Sequence, residues 1–560
     1  MSLLLLAVVV IAALAAGYFA YGTLISRQYS LDDSRTTPAV EKEDGVDFVP
    51  ARPFYLMSQH FSAIAAAGPI VGPIAACLAF GWLPCVLWVV VGVVFIGAVH
   101  DFSALVASVR HGARSIAEIA KQNLGRRAWL SLIAFIWLAL VYVIVAFTAV
   151  TADTFQGGAE ELEGLDVAFD KGGAVAAAST MYLALALVMG ILQRIFRPSI
   201  ALVTLVFVPA TLGVVWLGTK VDSVLSLPTE AWYVALLAYC FVASMLPLWL
   251  LQQPRGYLGG FVLYIALGVG VLGIFFGGFE IRQPMIKDFT ASSSRPEDAI
   301  FPFLFVTIAC GACSGFHGLI CGGTTSKQIA RESHCKPIGF GSMLLEGFVA
   351  VIALATVMIV ADSERAGRAP AQIYGDGLAS FLTVLVPEGA RRSVFVFAAT
   401  FGAMAFSTFV FDTLDVSTRL GRYLLQELSG SSGRVAGTLA AGATAGVPLV
   451  ILLTAEPGSW RTFWTLFGTA NQLLAALTLL GISVWLKRSG RRCWYTVIPM
   501  IFVMVVTLTA LVKQAAFAFD GAFGSAGFSV PPLLNGVVAA LLLLLAASFI
   551  YEALRRKRYG

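Results

Sequence analysis

Charge is what this sequence has least of. Asp, Glu, Lys and Arg make up 12% of its 560 residues, roughly half the share found in ordinary soluble domains. Apolar residues reach 58% and the mean hydropathy is +0.85, so there is too little polar surface to clothe soluble domains of this total length. Long polar stretches are missing as well, which leaves no room for a separate aqueous domain. The eight cysteines follow no secreted spacing pattern and mostly fall inside apolar segments, where they read as buried thiols. No phosphate loop or dinucleotide fingerprint is present, so an ATP-driven pump would need a partner to supply the ATPase. Neither a Ser–His–Asp arrangement nor a zinc-protease motif is found, and no enzyme is expected. The net charge of +5 does not point to nucleic acid, because in so apolar a chain the placement of charge matters more than its sum. The partner that this composition demands is a lipid bilayer.

Long hydrophobic runs are what the chain has instead. A membrane helix needs about 20 mostly apolar residues. Fifteen segments qualify, near 3–25, 55–80, 82–109, 128–152, 172–192, 198–219, 230–251, 257–278, 300–325, 340–361, 392–418, 435–454, 460–486, 494–515 and 532–553. The first lacks a basic region before it and exceeds the roughly 7–15 residues of a signal-peptide core, so it is expected to be a membrane helix. When the loops are alternated across fifteen spans, one side collects 26 of the 37 Lys and Arg, Arg255 among them. The other side collects 18 of the 32 acidic residues. The basic side is the cytoplasmic one, which places the N-terminus outside and the C-terminus inside.

Two of these spans are interrupted. The second runs through Gly68-Pro69-Ile70-Val71-Gly72-Pro73, and the ninth through Cys310-Gly311-Ala312-Cys313-Ser314-Gly315-Phe316-His317-Gly318. Proline removes a helix donor and clashes with the preceding turn, and each glycine weakens a helix by about 1 kcal/mol relative to Ala. Irregular backbone at membrane depth is tolerated only where protein buries it or a wet cavity receives it. A matched pair of broken spans running in opposite directions is the mark of a transporter built from inverted repeats. The expectation is therefore an all-α polytopic membrane protein of about fifteen transmembrane helices with two inverted five-helix repeats, the LeuT-like core of the amino acid–polyamine–organocation type. The repeats would span 55–219 and 300–486. Residues 1–54 would form a first helix and inner loop, 230–278 inserted helices and 494–560 peripheral helices, all within one transmembrane domain.

The residues around these breaks carry a resemblance. Asp32-Asp33-Ser34-Arg35-Thr36-Thr37-Pro38-Ala39 and Asp44-Gly45-Val46-Asp47-Phe48-Val49-Pro50 precede His60-Phe61-Ser62-Ala63-Ile64 and the first Gly-Pro pair. Ser314-Gly315-Phe316-His317, Gly323-Thr324-Thr325-Ser326-Lys327 and Asp412-Thr413-Leu414-Asp415 with Thr418-Arg419 follow. Together they resemble the carbon starvation protein A family. The resemblance implies a secondary carrier of the inner membrane, made on nutrient depletion, that imports pyruvate or small peptides with protons by alternating access.

Candidate site residues follow from the chemistry of a broken helix. Free N–H groups and the positive dipole end suit a carboxylate, which makes the backbone at Gly68, Pro69 and Gly72 and at Ser314, Gly315 and Phe316 a candidate substrate cradle. The same small residues also permit close helix packing. His317, beside the second break, is a candidate for substrate binding or for carrying a proton, and His60 is a weaker one. Acids inside the membrane are costly and mark relays by default. Asp101, next to His100, and Glu346 are the relay candidates, whereas Asp412 and Asp415 are expected to anchor their helix by pairing with Arg419 or Arg422. In sodium-coupled carriers of this fold the resemblance points to hydroxyls at the position of Ser407 and Thr408 as Na⁺ ligands. H⁺ is the expected coupling ion rather than Na⁺, with no cofactor. Cys310, Cys313, His317 and Cys321 have near-helical spacing but lack the paired ligand spacings of a metal site, so no metal is assigned. The rival reading is a membrane-embedded nutrient sensor that binds substrate without moving it. A channel and an intramembrane enzyme fit the two broken helices less well.

Overall fold

The computed structural model describes residues 2–44, 48–65, 67–156, 159–160, 169–222, 224–247, 249–287, 299–361, 368–431, 433–454, 460–523 and 530–558. Gly45, Val46 and Asp47 of the inner-loop motif lie outside these. Among the described residues the chain is almost entirely helical, the sole strand pair being the two-residue segments Ala159–Glu160 and Phe169–Asp170.

The first long helix, α1, covers Leu3–Tyr29. The second expected span is two helices, α2 (Pro53–Ile64) and α3 (Gly68–Phe80), bent by 45°. Next come α4 (Trp82–Arg110), the short α5 (Ile116–Leu124) and α6 (Arg126–Phe155). They are followed by α7 (Lys171–Phe196), α8 (Ile200–Gly218), α9 (Thr229–Met245) and α10 (Gln252–Phe276). The ninth expected span is also two helices, α11 (Ile300–Thr307) and α12 (Gly315–Gly323). Then come α13 (Glu332–Met358), α14 (Pro370–Thr383) and α15 (Arg391–Ser429). The chain ends with α16 (Arg434–Thr454), α17 (Trp460–Arg488), α18 (Trp494–Phe523) and α19 (Val530–Arg558).

Among the described residues, twelve helices are long and apolar enough to cross a membrane, or thirteen with the bent pair α2/α3 counted once. The expected seventh and ninth segments are helical yet too short for that count, because the chain leaves the helix after Met245 and breaks between Thr307 and Gly315. One helix was not expected. The segment 362–391 read as a loop, but Pro370–Thr383 is the helix α14, buried over most of its length. Its 14 residues, with Gln372, Asp376, Ser380 and Thr383 among them, fall short of a membrane-span signal.

The two breaks meet. A Cβ added at Gly68 would run into the Cys310 side chain, and one at Gly72 into the Thr307 carbonyl. Glycine at these positions is therefore what lets the start of α3 lie directly on the α11–α12 break. Two further irregularities flank the same region. A π-helical turn at Val93–Gly97 interrupts α4 just before His100 and Asp101, and another at Lys336–Gly341 interrupts α13 ahead of Glu346. Such π-bulges re-aim the side chains that follow them.

On the end of the molecule that carries most of the basic residues, the inner-loop motif folds onto the segment after α12. Val49 and Ala51 donate their amides to the carbonyls of Lys327 and Gln328 at 3.2 and 3.0 Å. Asp33 accepts the amide and hydroxyl of Ser333 at 2.8 and 2.7 Å, and Arg110 clamps Glu332 at 2.9 Å.

Candidate functional site

The second break supplies one wall of the site. After α11 ends, Cys313 donates its amide to the Ala309 carbonyl at 2.7 Å. The chain then restarts as α12, and the N–H of Phe316 donates to Asn471 Oδ1 of α17 at 2.9 Å. The Asn471 amide nitrogen donates to Ser314 Oγ at 3.0 Å and to Cys310 Sγ at 3.2 Å. A single buried amide thus accepts from one backbone N–H of the break and donates to two of its side chains. At the first break Ile70 and Val71 bond back to the Ala67 carbonyl and Pro69 has no N–H. Of the donors expected to form a carboxylate cradle, the N–H groups of Ile70, Val71 and Phe316 are thus bonded within the protein. Asn471 was not singled out from the sequence, although a paired Asn471-Gln472 in mid-span is a signal of buried polar work.

One turn further along α12, His317 enters a group of four ionisable side chains, all buried to 1% exposure or less. Asp101 of α4 accepts from His100 Nδ1 at 2.7 Å on one carboxylate oxygen and from His317 Nδ1 at 2.8 Å on the other. The opposite ring nitrogen of His317, Nε2, lies 3.3 Å from Glu346 Oε2 of α13. That approach lacks hydrogen-bond geometry, and both Glu346 oxygens and His100 Nε2 are without a hydrogen-bond partner. No Lys or Arg pairs with Asp101 or Glu346 among the described residues. Gly318 makes room for the His100 ring, which lies 3.2 Å from where a Cβ would stand. Three candidates chosen from sequence, Asp101, His317 and Glu346, are thus brought together, and His100 joins them.

The remaining acids find a partner that the sequence reading misplaced. Arg255, counted with the loops, lies in the first turn of α10 and is fully buried. It donates to Asp412 Oδ1 at 2.7 Å and pairs with Asp415 at 2.5 Å, and it also donates to the Tyr239 hydroxyl. Asp415 accepts from that hydroxyl at 2.9 Å and Asp412 from Ser62 at 3.1 Å. Asp412 and Asp415 therefore do not pair with Arg419 or Arg422. They face α10, where Gly259 leaves space for the Ser62 and Asp412 oxygens. Arg419 instead donates to the carbonyls of Ala243 and Leu246 at 2.8 and 2.7 Å, and Arg422 to the Met245 sulfur at 3.3 Å.

Ser407 is bonded to Ser179 at 2.5 Å and to the Met404 carbonyl at 3.0 Å, while the buried Thr408 hydroxyl has no partner. Among the described residues no group of three or more His, Cys, Asp or Glu is arranged to hold a metal ion. A cavity of about 340 Å³ opens between α2, α10, α12 and α15, with His60, Ile320, Thr325, Lys327, Asp412 and Arg419 among its walls. His60 Nδ1 lies 2.8 Å from Thr325 Oγ1.

At the far end of the molecule, Lys171 at the start of α7 pairs with Asp376 of α14, and Arg368 reaches the same carboxylate at 3.3 Å.

Comparison with known proteins places this geometry. The Eremococcus coleocola manganese transporter superposes with a TM-score of 0.50 over 92% of this chain and 99% of its own, at 12% identity, which gives the fold as that of a LeuT-type transporter. The peptide transporter CstA of Bacillus subtilis is 31% identical, covering 97% of this chain and 95% of its own. The peptide transporter CstA of Helicobacter pylori is 31% identical over 88% and 79%. The pyruvate/proton symporter BtsT of Escherichia coli is 30% identical over 86% and 77%. These relatives are named as transporters, neither as enzymes nor as sensors. The family profile described as carbon starvation protein CstA matches residues 1–376 and 361–510, and the chain belongs to that family.

Proposed function

We propose that this chain is a proton-coupled secondary transporter that imports pyruvate or small peptides across the cytoplasmic membrane by alternating access. The single observation that carries the coupling is the Asp101–His317–Glu346 contact. With both Asp101 oxygens accepting, the Nδ1 atoms of His100 and His317 hold their protons. His317 Nε2 then faces Glu346 Oε2 at 3.3 Å, and two acceptors at that separation attract only with a proton between them. Loading that proton neutralises a carboxylate or charges an imidazole beside the broken helix, which changes the electrostatics where the two repeats meet. H⁺ rather than Na⁺ is the coupling ion on this reading.

The repeats are 55–219 and 300–486. The short helix α5 follows the second span of the first unit, and α14 follows the second span of the other, a correspondence that supports this division. Residues 1–54, 230–278 and 494–560 then form the surrounding helices. The 340 Å³ cavity opens beside Lys327, Gln328 and Tyr423, on the end rich in Lys and Arg, while Lys171 and Asp376 join α7 to α14 at the other. This supports an inward-open state with the N-terminus outside and the C-terminus in the cytoplasm. The small-molecule acids named for the relatives suit a cavity of this volume.

The test is uptake of labelled pyruvate, then of di- and tripeptides, into proteoliposomes with and without an inward proton gradient, beside His317→Ala. Accumulation above the outside concentration only with the gradient, lost in the variant, is the expected result. Accumulation driven equally by a sodium gradient, or unaffected by the variant, would overturn the coupling reading.

A further inference from the structure

Besides the backbone of the breaks, the cavity offers a side chain built to recognise an acid. Arg419 is only 8% exposed and lines the cavity wall. Its two named partners are the carbonyls of Ala243 and Leu246, at the C-terminal end of α9. The negative end of a helix dipole amounts to about half a charge. No carboxylate pairs with Arg419 among the described residues, and its Nε has no hydrogen-bond partner. The acids that its sequence spacing would supply, Asp412 and Asp415, are held by Arg255 instead.

A buried guanidinium without a counter-anion is costly unless something pairs with it. The other lining groups indicate the shape of what does. Asp412 is the sole acid on the wall, and Arg255 and Ser62 occupy its two oxygens. Gln59 Oε1, Gln252 Oε1 and His60 Nε2 lack hydrogen-bond partners although these side chains also line the space. The cavity thus presents one forked cationic donor, with the Lys327 ammonium also on its wall. That set complements a molecule that carries a carboxylate. A water takes about 30 Å³, so a volume of about 340 Å³ holds more than a three-carbon acid.

We propose that Arg419 is the anchor for the substrate carboxylate in the inward-open state. The proposal rests on the transporter reading above and adds the residue that reads the acid. Guanidinium binds carboxylate bidentately, whereas an ammonium is a point charge.

The test is equilibrium binding to the purified full chain in detergent, apart from any gradient, using two pairs of probes. These are glycylglycine with glycylglycinamide and pyruvate with methyl pyruvate. The wild-type chain is expected to prefer at least one acid over the counterpart that lacks the carboxylate by about 10- to 100-fold, the range of a charge-assisted hydrogen bond. Arg419→Gln should abolish that preference while leaving the weak affinity for the counterpart within about threefold, and Arg419→Lys should restore part of it. Equal binding of acid and counterpart by the wild-type chain, or binding of neither acid, overturns the anchor without recourse to any variant. An acid preference that survives Arg419→Gln does the same. If the acid binds through Arg419 yet proteoliposomes accumulate nothing under any gradient, the anchor stands and the transport reading falls.

Discussion

His317 of α12 and Glu346 of α13 face each other across 3.3 Å, with the other ring nitrogen of His317 already committed to Asp101. Among the described residues no Lys or Arg pairs with Glu346. Glu346→Gln keeps the shape and removes the titratable oxygen. We expect accumulation driven by an inward proton gradient to fall at least tenfold. Exchange of labelled for unlabelled substrate at equal pH on both sides should persist, because it needs no net proton movement. Wild-type accumulation in Glu346→Gln would remove Glu346 from the coupling path.

Arg255 is the keystone of a second buried group. Breaking a buried ion pair by removing one partner costs about 3–5 kcal/mol, because a charge is left unpaired. Arg255→Gln strands both Asp412 and Asp415 and should lower the unfolding midpoint in detergent sharply. The triple variant Arg255→Gln, Asp412→Asn, Asp415→Asn strands none and should recover much of the loss. A single variant as stable as wild type would mean that the three side chains do not share their charge in the folded protein.

The amide and then the hydroxyl of Ser333 hold the Asp33 carboxyl below its usual range. A group depressed on folding contributes stability above its unfolded value and loses it as pH falls through the folded one. The dock between the first inner loop and the segment after α12 should therefore hold near neutrality and open only in acid, below the ordinary carboxylate value of 3.8. Hydrogen exchange at the Ser333 amide, corrected for the intrinsic pH dependence, should lose protection over that range. In Asp33→Ala the protection should be low and independent of pH; protection unchanged in this variant would rule out the dock.

Much of this architecture could be read before any coordinates. Apolar runs of membrane length mark most of the spans, and the Gly-Pro and Gly-rich interruptions mark both breaks, because nothing else in a bilayer tolerates such residues in series. Asp101, His317 and Glu346 each stood out alone as a polar group in an apolar span. Their meeting did not, since Asp101 and His317 are 216 positions apart and only the crossing of α4, α12 and α13 unites them. Arg255 misled because a lone arginine between two apolar runs looks like a loop charge. Its burial depends on Asp412 and Asp415 from α15, which periodicity cannot reveal. Asn471 was passed over for the complementary reason: a neutral amide in a span reads as ordinary interhelical adhesive.

The pair at the far end of the molecule gives a prediction about the direction of opening. Lys171 and Asp376 join the first turn of α7 to the middle of α14, with Arg368 on the second carboxylate oxygen. Both side chains of the first pair are about nine-tenths buried, so the contact is screened less than a surface ion pair. If the cavity beside Arg419 faces the cytoplasm, this contact closes the other side and must part when the protein turns outward. Asp376→Lys replaces attraction with repulsion and should shift the population toward the outward-open form. A single cysteine placed at Ser179, buried deep in α7, in a background without native cysteines should then react faster with a membrane-impermeant maleimide added from outside. The charge-swapped double variant Lys171→Asp, Asp376→Lys should return labelling toward the wild-type rate. That recovery separates the loss of an ion pair from general loosening, because a loosened helix would stay reactive whichever charges it carried. Equal labelling in all three would mean that the contact only fastens α14 and does not gate the path.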